Sequence, residues 1–558
     1  MVEPFNGVAN TVSIVRWSLS GSNAHSSGVL LRLVCVRGTP LGGYSLRPLC
    51  QYRLHTEQDC VNAVWATGPP TRNFALGSPM HASPLRTEER AREVLSVDNR
   101  AGWFLCWLDM RRILLVNPPI HDFAAYDFWL KPYGLLSVAG QLRGQAEFRL
   151  FDYLERQGDC GFRISDCGLK RSSAANPPSD RWGRGRLYWE RIESPEPLKN
   201  IPRYFRRFGS PRARFADYLR KQGPFDYVLV QTMMTYWYPG VREVVEDVHG
   251  AWPAAKIVLG GNYATLCPDH ARGLGADLVV VGSDLQPLWE FLEMTPNPNE
   301  PALWEVAGAN DYSPLWVGAL KLADGCPFRC SYCSVPKVYG GFRPRPLERS
   351  LAELELLAGR GVENVAFYDD ALLFDAHEVL VPFLTEILRR GIRVNLHTPN
   401  ALNARFLTAD LAQLMVRAGF KTFYLGFESA SRQWQQGTGG KVFSEELARA
   451  VDHLFAAGAD PIDITAYQIV GHPKSDVQEL EESMRFVHRL GIRGMLADFS
   501  PIPGTPDGEA CRRWVDLEEP LMHNKTAFPI LRLGFDEVNR LKDLQRALNR
   551  SITSNAGS

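Results

Sequence analysis

The chain has 558 residues, with Lys plus Arg and Asp plus Glu balanced at 62 each, so its formal net charge is zero. This length exceeds what one hydrophobic core fills and implies two or three domains, while the charge balance excludes a global field that would draw nucleic acid or an anionic membrane surface. No run of about 18 apolar residues appears and no charged-then-apolar leader opens the chain, so the expectation is a cytoplasmic protein without membrane spans; eleven cysteines without a regular framework agree with a reducing compartment.

Residues 1–109 are rich in Ser, Gly, Pro and Arg and sustain neither a period of 2 nor one of 3.6. The expectation for them is a disordered or mis-annotated extension, with a small degenerate domain as the other reading. Met110-Arg-Arg-Ile-Leu-Leu-Val-Asn-Pro-Pro119 looks like the start of a folded domain. From there strands are expected at Ile113–Val116, Phe148–Tyr153, Tyr227–Gln231, Lys256–Leu259 and Leu278–Val281, with helices near Leu135–Leu142 and Val241–Val248. Such alternation argues for an α/β domain over 110–295, a five-stranded doubly wound parallel sheet of Rossmann or flavodoxin type. A ligand of such a sheet sits at the carboxyl ends of the strands. Those ends carry Asn117, Thr232 and Met233, and the pair Gly260 and Gly261, which permits close backbone approach.

An insertion at 154–224 holds Trp182, Trp189 and a basic run including Arg203, Arg206, Arg207, Arg212, Arg214, Arg220 and Lys221. A solvated surface is the ordinary reading of such a run, and contact with an anionic ligand the alternative. After a linker the βα pattern restarts over 315–500. Strands are expected at Val317–Leu322, Asn364–Tyr368, Arg393–His397, Thr422–Leu425, Ile462–Val470 and Gly494–Asp498, with amphipathic helices such as Leu351–Ala358 and Leu447–Ala456 between them. Residues 501–558 form a C-terminal tail with a helix at Asp536–Asn549, expected over the barrel mouth or the domain interface.

The chemistry concentrates in Asp324-Gly-Cys-Pro-Phe-Arg-Cys-Ser-Tyr-Cys333, which places Cys326, Cys330 and Cys333 in one short loop. Clustered soft thiolates select zinc, copper or iron–sulfur centres. A structural zinc site needs four protein ligands, usually as two pairs, and no second pair follows; a four-cysteine ferredoxin run is also absent. A 4Fe-4S cluster with one iron left open fits three cysteines.

The stretch GCPFRCSYC, with Tyr332 before the last cysteine, resembles the signature of the radical S-adenosylmethionine (SAM) superfamily. The resemblance implies a partial (β/α)6 TIM-like barrel over 315–500, a 4Fe-4S cluster on Cys326, Cys330 and Cys333, and SAM on the open iron. It also implies SAM contacts from Tyr332, from Asp369 or Asp370 at the second strand end, from Glu428 and Ser429 in Gly426-Phe-Glu-Ser429, and from Gln468 and Gly471. For the aspartates, capping of a helix N-terminus is the competing reading. His472, in the same turn as Gly471, has a structural role as its ordinary reading and proton donation as the other.

The α/β domain at 110–295 resembles the cobalamin-binding domain of one radical SAM subclass, which implies cobalamin beside Asn117, Thr232, Met233, Gly260 and Gly261. The subclass motif Asp-x-His-x-x-Gly is missing, so cobalt lacks a motif histidine, or the domain only packs. The function expected from the resemblance is radical SAM catalysis, with cobalamin-dependent methylation of an unactivated carbon foremost. The alternatives are a cobalamin-independent oxidoreductase or rearrangement enzyme and a non-catalytic metal-binding scaffold. Expected partners are a small-molecule substrate and an electron donor such as flavodoxin or ferredoxin, with no nucleic acid and no membrane.

Overall fold

The computed structural model describes residues 110–156, 179–307 and 315–553, together with three short strands at Val2–Phe5, Val12–Val15 and Leu33–Cys35. These three pair as a small antiparallel sheet in a unit of their own. The remainder of 1–109, and with it the expectation of a disordered or mis-annotated extension, lies outside the described residues.

The first α/β layer is a five-stranded parallel sheet of β1 (Arg111–Asn117), β2 (Ala146–Asp152), β3 (Tyr227–Thr232), β4 (Lys256–Gly261) and β5 (Leu278–Val280), in the order β2-β1-β3-β4-β5. This is the flavodoxin-like order, whose switch point lies between β1 and β3. Ile113 to Val116 are fully buried, as a strand covered on both faces requires. Helices Tyr133–Gln141 and Tyr238–Ala251 take opposite faces of this sheet, the first packing with Leu115 and Leu229, the second with Leu114 and Val230.

The second layer contains six parallel strands, β6 (Val317–Leu320), β7 (Asn364–Phe367), β8 (Asn395–His397), β9 (Phe420–Glu428), β10 (Ile464–Val470) and β11 (Arg493–Asp498), hydrogen-bonded in chain order. With the two-residue strand Leu402–Asn403 also paired on β9, this is an open partial barrel built on six βα units. The helix between β10 and β11 illustrates why the pattern was readable. Asp476 caps Val477–Arg489 by accepting from Glu479 N at 2.8 Å, and Leu480, Ser483, Met484 and Val487 are buried one turn apart. The helix expected at Asp536–Asn549 runs from Phe535 to Arg550; it covers β11 and helix Val477–Arg489 rather than the barrel mouth, and meets the first domain through Val538 and Asn539. Its apolar stripe, Val538 and Leu541, makes it the sixth outer helix. Among the described residues no helix is long and apolar enough to cross a membrane.

The insertion and the loop before helix Tyr133–Gln141 both pack into the barrel. The indole of Trp129, from the loop before helix Tyr133–Gln141, stacks on His397 of β8 at 4.4 Å and donates to the Trp182 carbonyl at 2.7 Å. Gly183 packs on Val317, the first residue of β6, Arg181 pairs with Asp463 just before β10 at 2.6 Å, and Arg184 donates to the Tyr424 hydroxyl. These contacts run from the first residue of β6 and the turn before β10 inward to His397 and Tyr424, so the first domain plugs the lower part of the barrel. Its basic run is partly internal as well: Arg207 is 4% exposed and bound to Glu243.

Candidate functional site

The carboxyl ends of the barrel strands carry the groups that sequence singled out. The cysteine loop follows the two-residue strand Ala323–Asp324, and its backbone is pinned by Cys326 N to Gly340 O at 3.4 Å and Ser331 N to Thr438 O at 3.1 Å. Cys326, Cys330 and Cys333 are free and partly buried. Burial raises all three thiol pKa values, that of Cys333 to about 11, and Cys330 raises those of its two neighbours further. Lys441 favours the thiolates, but burial and the thiols' mutual repulsion outweigh it, and a bound metal's charge would offset both, so the donor set fits a metal centre. Among the described residues no three His, Cys, Asp or Glu side chains close around a single ion. Tyr332 is packed between Trp434, stacked at 6.0 Å, and His472, edge-on at 6.1 Å.

At the end of β7 the two aspartates divide. Asp369 accepts from Leu322 N at 2.9 Å and Ala323 N at 2.7 Å, and burial pushes its pKa up to about 7. It braces the backbone entering the cysteine loop, and no helix begins within its reach, since the next one starts at Leu380. Asp370 stands 3.5 Å from Lys321 Nζ, and its Oδ2 is buried without a hydrogen bond. That oxygen, held by Lys321 through charge alone, keeps its hydrogen-bonding capacity for an ammonium such as the one SAM carries.

Glu428 ends β9 in the left-handed region at φ 67°, which is uncommon for a non-glycine residue and concentrates at functional sites. Gln435 holds the turn by donating to the carbonyls on either side, Phe427 O and Ser429 O. Ser429 accepts from Ser431 N at 3.1 Å. The Glu428 carboxylate lies 3.3 Å from Lys441 Nζ. Burial works against the charge of Lys441, but Glu428 and Cys330 hold its pKa above the usual lysine value. Lys441 is a buried cation beside the cysteine loop that sequence reasoning did not name; the pair Gly439-Gly440 just before it was the available signal.

Two of the expected SAM contacts stand apart from these groups. Gln468 is fully buried, and its amide lies with Gly494 and with Gln545 of the C-terminal helix, on the outer side of the sheet. Strand alternation turns it away from any ligand at the mouth. Gly471, at φ 83°, sits against Pro529 from the chain's last segment, so its lack of a side chain admits protein rather than ligand. His472 is fully buried, accepting at Nδ1 from the Trp434 indole at 3.1 Å and Lys474 N at 3.2 Å, with Nε2 3.0 Å from Asp507. These partners give it the structural role.

In the first sheet, Asn117 and Gln231 flank the switch point; Asn117 donates to Asp152 at 2.7 Å and accepts from Gln231 at 3.3 Å. Thr232 bridges to Gly260 O and Ala264 N, each at 3.1 Å. Gly261 has φ 122°, and a Cβ there would run into the Thr232 carbonyl. Met233 is packed with Tyr236 and Trp237, whereas Met234 and Val281 are 39% and 43% exposed at the ends of β3 and β5. An apolar shelf with glycine backbone beside it fits a flat, bulky ligand such as a corrin. This edge meets the cysteine loop's own helix Val335–Val338: Tyr339 donates to Asn262 at 3.0 Å, with Lys321 over the Tyr339 ring.

The radical SAM superfamily model matches residues 320–487, and the B12 binding domain model matches 205–291. The chain carries a B12-binding domain followed by a radical SAM domain. A radical SAM domain takes a 4Fe-4S cluster and SAM. The chain is 36% identical over 123 residues to ribosomal protein uS12 methylthiotransferase RimO of Pelobacter propionicus, covering 22% of this chain and 24% of the relative. It is 24% identical over 290 residues to threonylcarbamoyladenosine tRNA methylthiotransferase MtaB of Thermotoga maritima, covering 48% and 64%. The chain spans less than half the length of the ribosomal protein methylthiotransferases it matches. Among solved structures it is similar to the radical SAM methyltransferase TsrM of Kitasatospora setae with cobalamin and a 4Fe-4S cluster bound, at TM-score 0.54 and 16% identity, over 78% of this chain and 91% of that one. That likeness confirms the fold, a B12-binding sheet followed by a radical SAM barrel.

Proposed function

We propose that this protein is a radical SAM enzyme that methylates a carbon of a small-molecule substrate with the help of cobalamin. When bound, the cluster with SAM supplies one-electron chemistry and the cobalamin a transferable methyl group. The observation that carries the proposal is the meeting of two prepared edges: the glycine-backed, apolar end of the first sheet and the cysteine loop, joined through Asn262 and Tyr339.

In this reading Cys326, Cys330 and Cys333 hold the cluster. Asp370 accepts from the SAM ammonium, and Lys441, kept charged by Glu428, lies where it can meet the SAM carboxylate. Asp369 and Gln435 position these groups without touching ligand. The aromatic plug of Trp129 and Trp182 closes the amino end of the barrel, so substrate enters from the carboxyl end and water is kept out from below. The reducing electron comes from a small donor protein such as flavodoxin or ferredoxin.

The test is anaerobic reconstitution of the full chain followed by titration with hydroxocobalamin. The expected result is about four irons per chain and a co-eluting corrin with a changed visible spectrum. Iron uptake with no corrin would favour the second reading, for which the likeness to methylthiotransferases speaks: SAM chemistry in which the first domain only shapes the substrate site. Replacement of all three cysteines by alanine that leaves the iron content intact would defeat both.

A further inference from the structure

We propose that Asp507, in the C-terminal segment, is a positioning residue for the cysteine loop and sets the reduction potential of the centre bound there. The proposal rests on the reading that Cys326, Cys330 and Cys333 hold a 4Fe-4S cluster.

Asp507 lies far from the cysteines in sequence, yet its carboxylate is fully buried against their loop. Its Oδ2 accepts from the hydroxyl of Ser331, which stands between Cys330 and Cys333, and from His472 Nε2 at 3.0 Å. Its backbone N donates to Ser331 O at 3.1 Å, so one residue grips Ser331 by main chain and side chain together. The His472 tautomer is fixed for this task, because Nδ1 already accepts from Trp434 and from Lys474 N, which leaves the proton on Nε2 to be donated. Lys474 Nζ, with its side chain 49% exposed, reaches the other oxygen at 2.7 Å. Although burial alone would favour the acid, the bonds from His472, Lys474 and Ser331 hold the Asp507 pKa below the usual carboxylate range.

Two physical consequences follow. The double grip on Ser331 fixes the path of the backbone between the second and third cysteines, as partners beyond the ligands do in other metal sites. The carboxylate also places a negative charge, only partly offset by solvent-exposed Lys474, beside a centre that must accept an electron. Net charge and hydrogen bonding around a cluster set its potential, so Asp507 holds that potential down. The segment bearing it follows Gly504, which packs on Lys337 of the helix just after Cys333, so the cysteine loop is braced at two points by the same stretch.

The experiment uses the full chain, anaerobically reconstituted, with iron content, the electron paramagnetic resonance spectrum of the reduced cluster and its midpoint potential as readouts. Asp507→Asn keeps shape and removes charge; the expected result is unchanged iron content, an altered spectrum and a more positive potential. Lys474→Met removes the offsetting cation and is expected to move the potential the opposite way, a reversal that a purely structural role would not produce. Should Asp507→Asn fail to fold, Ser331→Ala, which alters no charge, is expected to change the spectrum, and Lys474→Met to shift the potential. Where both fold, the double variant Asp507→Asn with Ser331→Ala should change the spectrum no more than the larger single change, since the two act through one bond. Unchanged potentials in Asp507→Asn and Lys474→Met at equal iron content would overturn the proposal, as would an unchanged spectrum in Ser331→Ala. A wild type that takes up no iron removes the cluster reading and the proposal with it.

Discussion

At the residue scale the site is defined by charges placed where burial makes them consequential. Lys441 has one carboxylate partner and three thiols around it, so its positive charge is poised for an anionic ligand group. Lys441→Met should weaken SAM binding to the reconstituted protein about tenfold or more, the scale of one lost charged hydrogen bond, as read by equilibrium dialysis. Undiminished binding would remove Lys441 from the site. His397 shows the opposite logic. It is fully buried between Trp129, Asn364 and Thr422, and burial lowers its pKa to about 3. The folded state therefore refuses a proton that the unfolded chain accepts near pH 6.5, and stability falls as pH drops through that value toward 3. Between pH 7 and 5.5 this residue should cost about 1 kcal/mol, seen as a lower urea midpoint whose shift shrinks in His397→Gln.

At the scale of elements, the last segment of the chain ties the two domains together. Asn524 donates to the buried Asp122 at 2.9 Å, and His523 meets Thr235 at 3.0 Å, both in the first domain, while Ser500 donates to the His523 carbonyl from the barrel side. Asn524→Ala leaves the buried Asp122 short of a donor and should destabilise by about 1–3 kcal/mol, measurable as a loss of thermal stability that an exposed Arg546→Ala does not share. The strands and helices were legible in the sequence because they carry their hydrophobic periods; the six main barrel strands fall where alternation and spacing put them. The segment 499–533 was not legible, since it is built from short turns whose contacts are with residues hundreds of positions away. For the same reason the sequence could name Gln468 at a strand end but not the face it turns to. A bulge between Gly426 and Glu428 and a shared neighbour in Gln545 decide such matters, and neither has a local signature. The cysteine trio, by contrast, was legible because its ligands are close in sequence.

Across the whole molecule, the facing edges of the two domains suggest where substitutions separate one cofactor from the other. Gly261 is unsuitable for that purpose, because any side chain there strains φ 122° and strikes Thr232. Val281→Glu and Met234→Glu instead put charge on an exposed apolar shelf, where surface changes usually cost within about 0.5 kcal/mol. Each should abolish corrin uptake in the hydroxocobalamin titration while iron content stays at the wild-type level. Corrin retained in both would move the ligand elsewhere or leave the domain without one.

The plug at the bottom of the barrel gives the order of synthesis a physical meaning. Phe128, Trp129 and Trp182 leave the ribosome before the strands that enclose them, and at ordinary elongation rates the barrel follows over roughly ten to forty seconds. During that interval these side chains have one another but not Val317, His397 or Tyr424, so Trp129 lacks most of the packing that holds its left-handed backbone at φ 59°. Until β11 is complete the nascent first domain exposes this aromatic face, and a barrel released on its own would meet the converse problem, an interior with nothing to fill it.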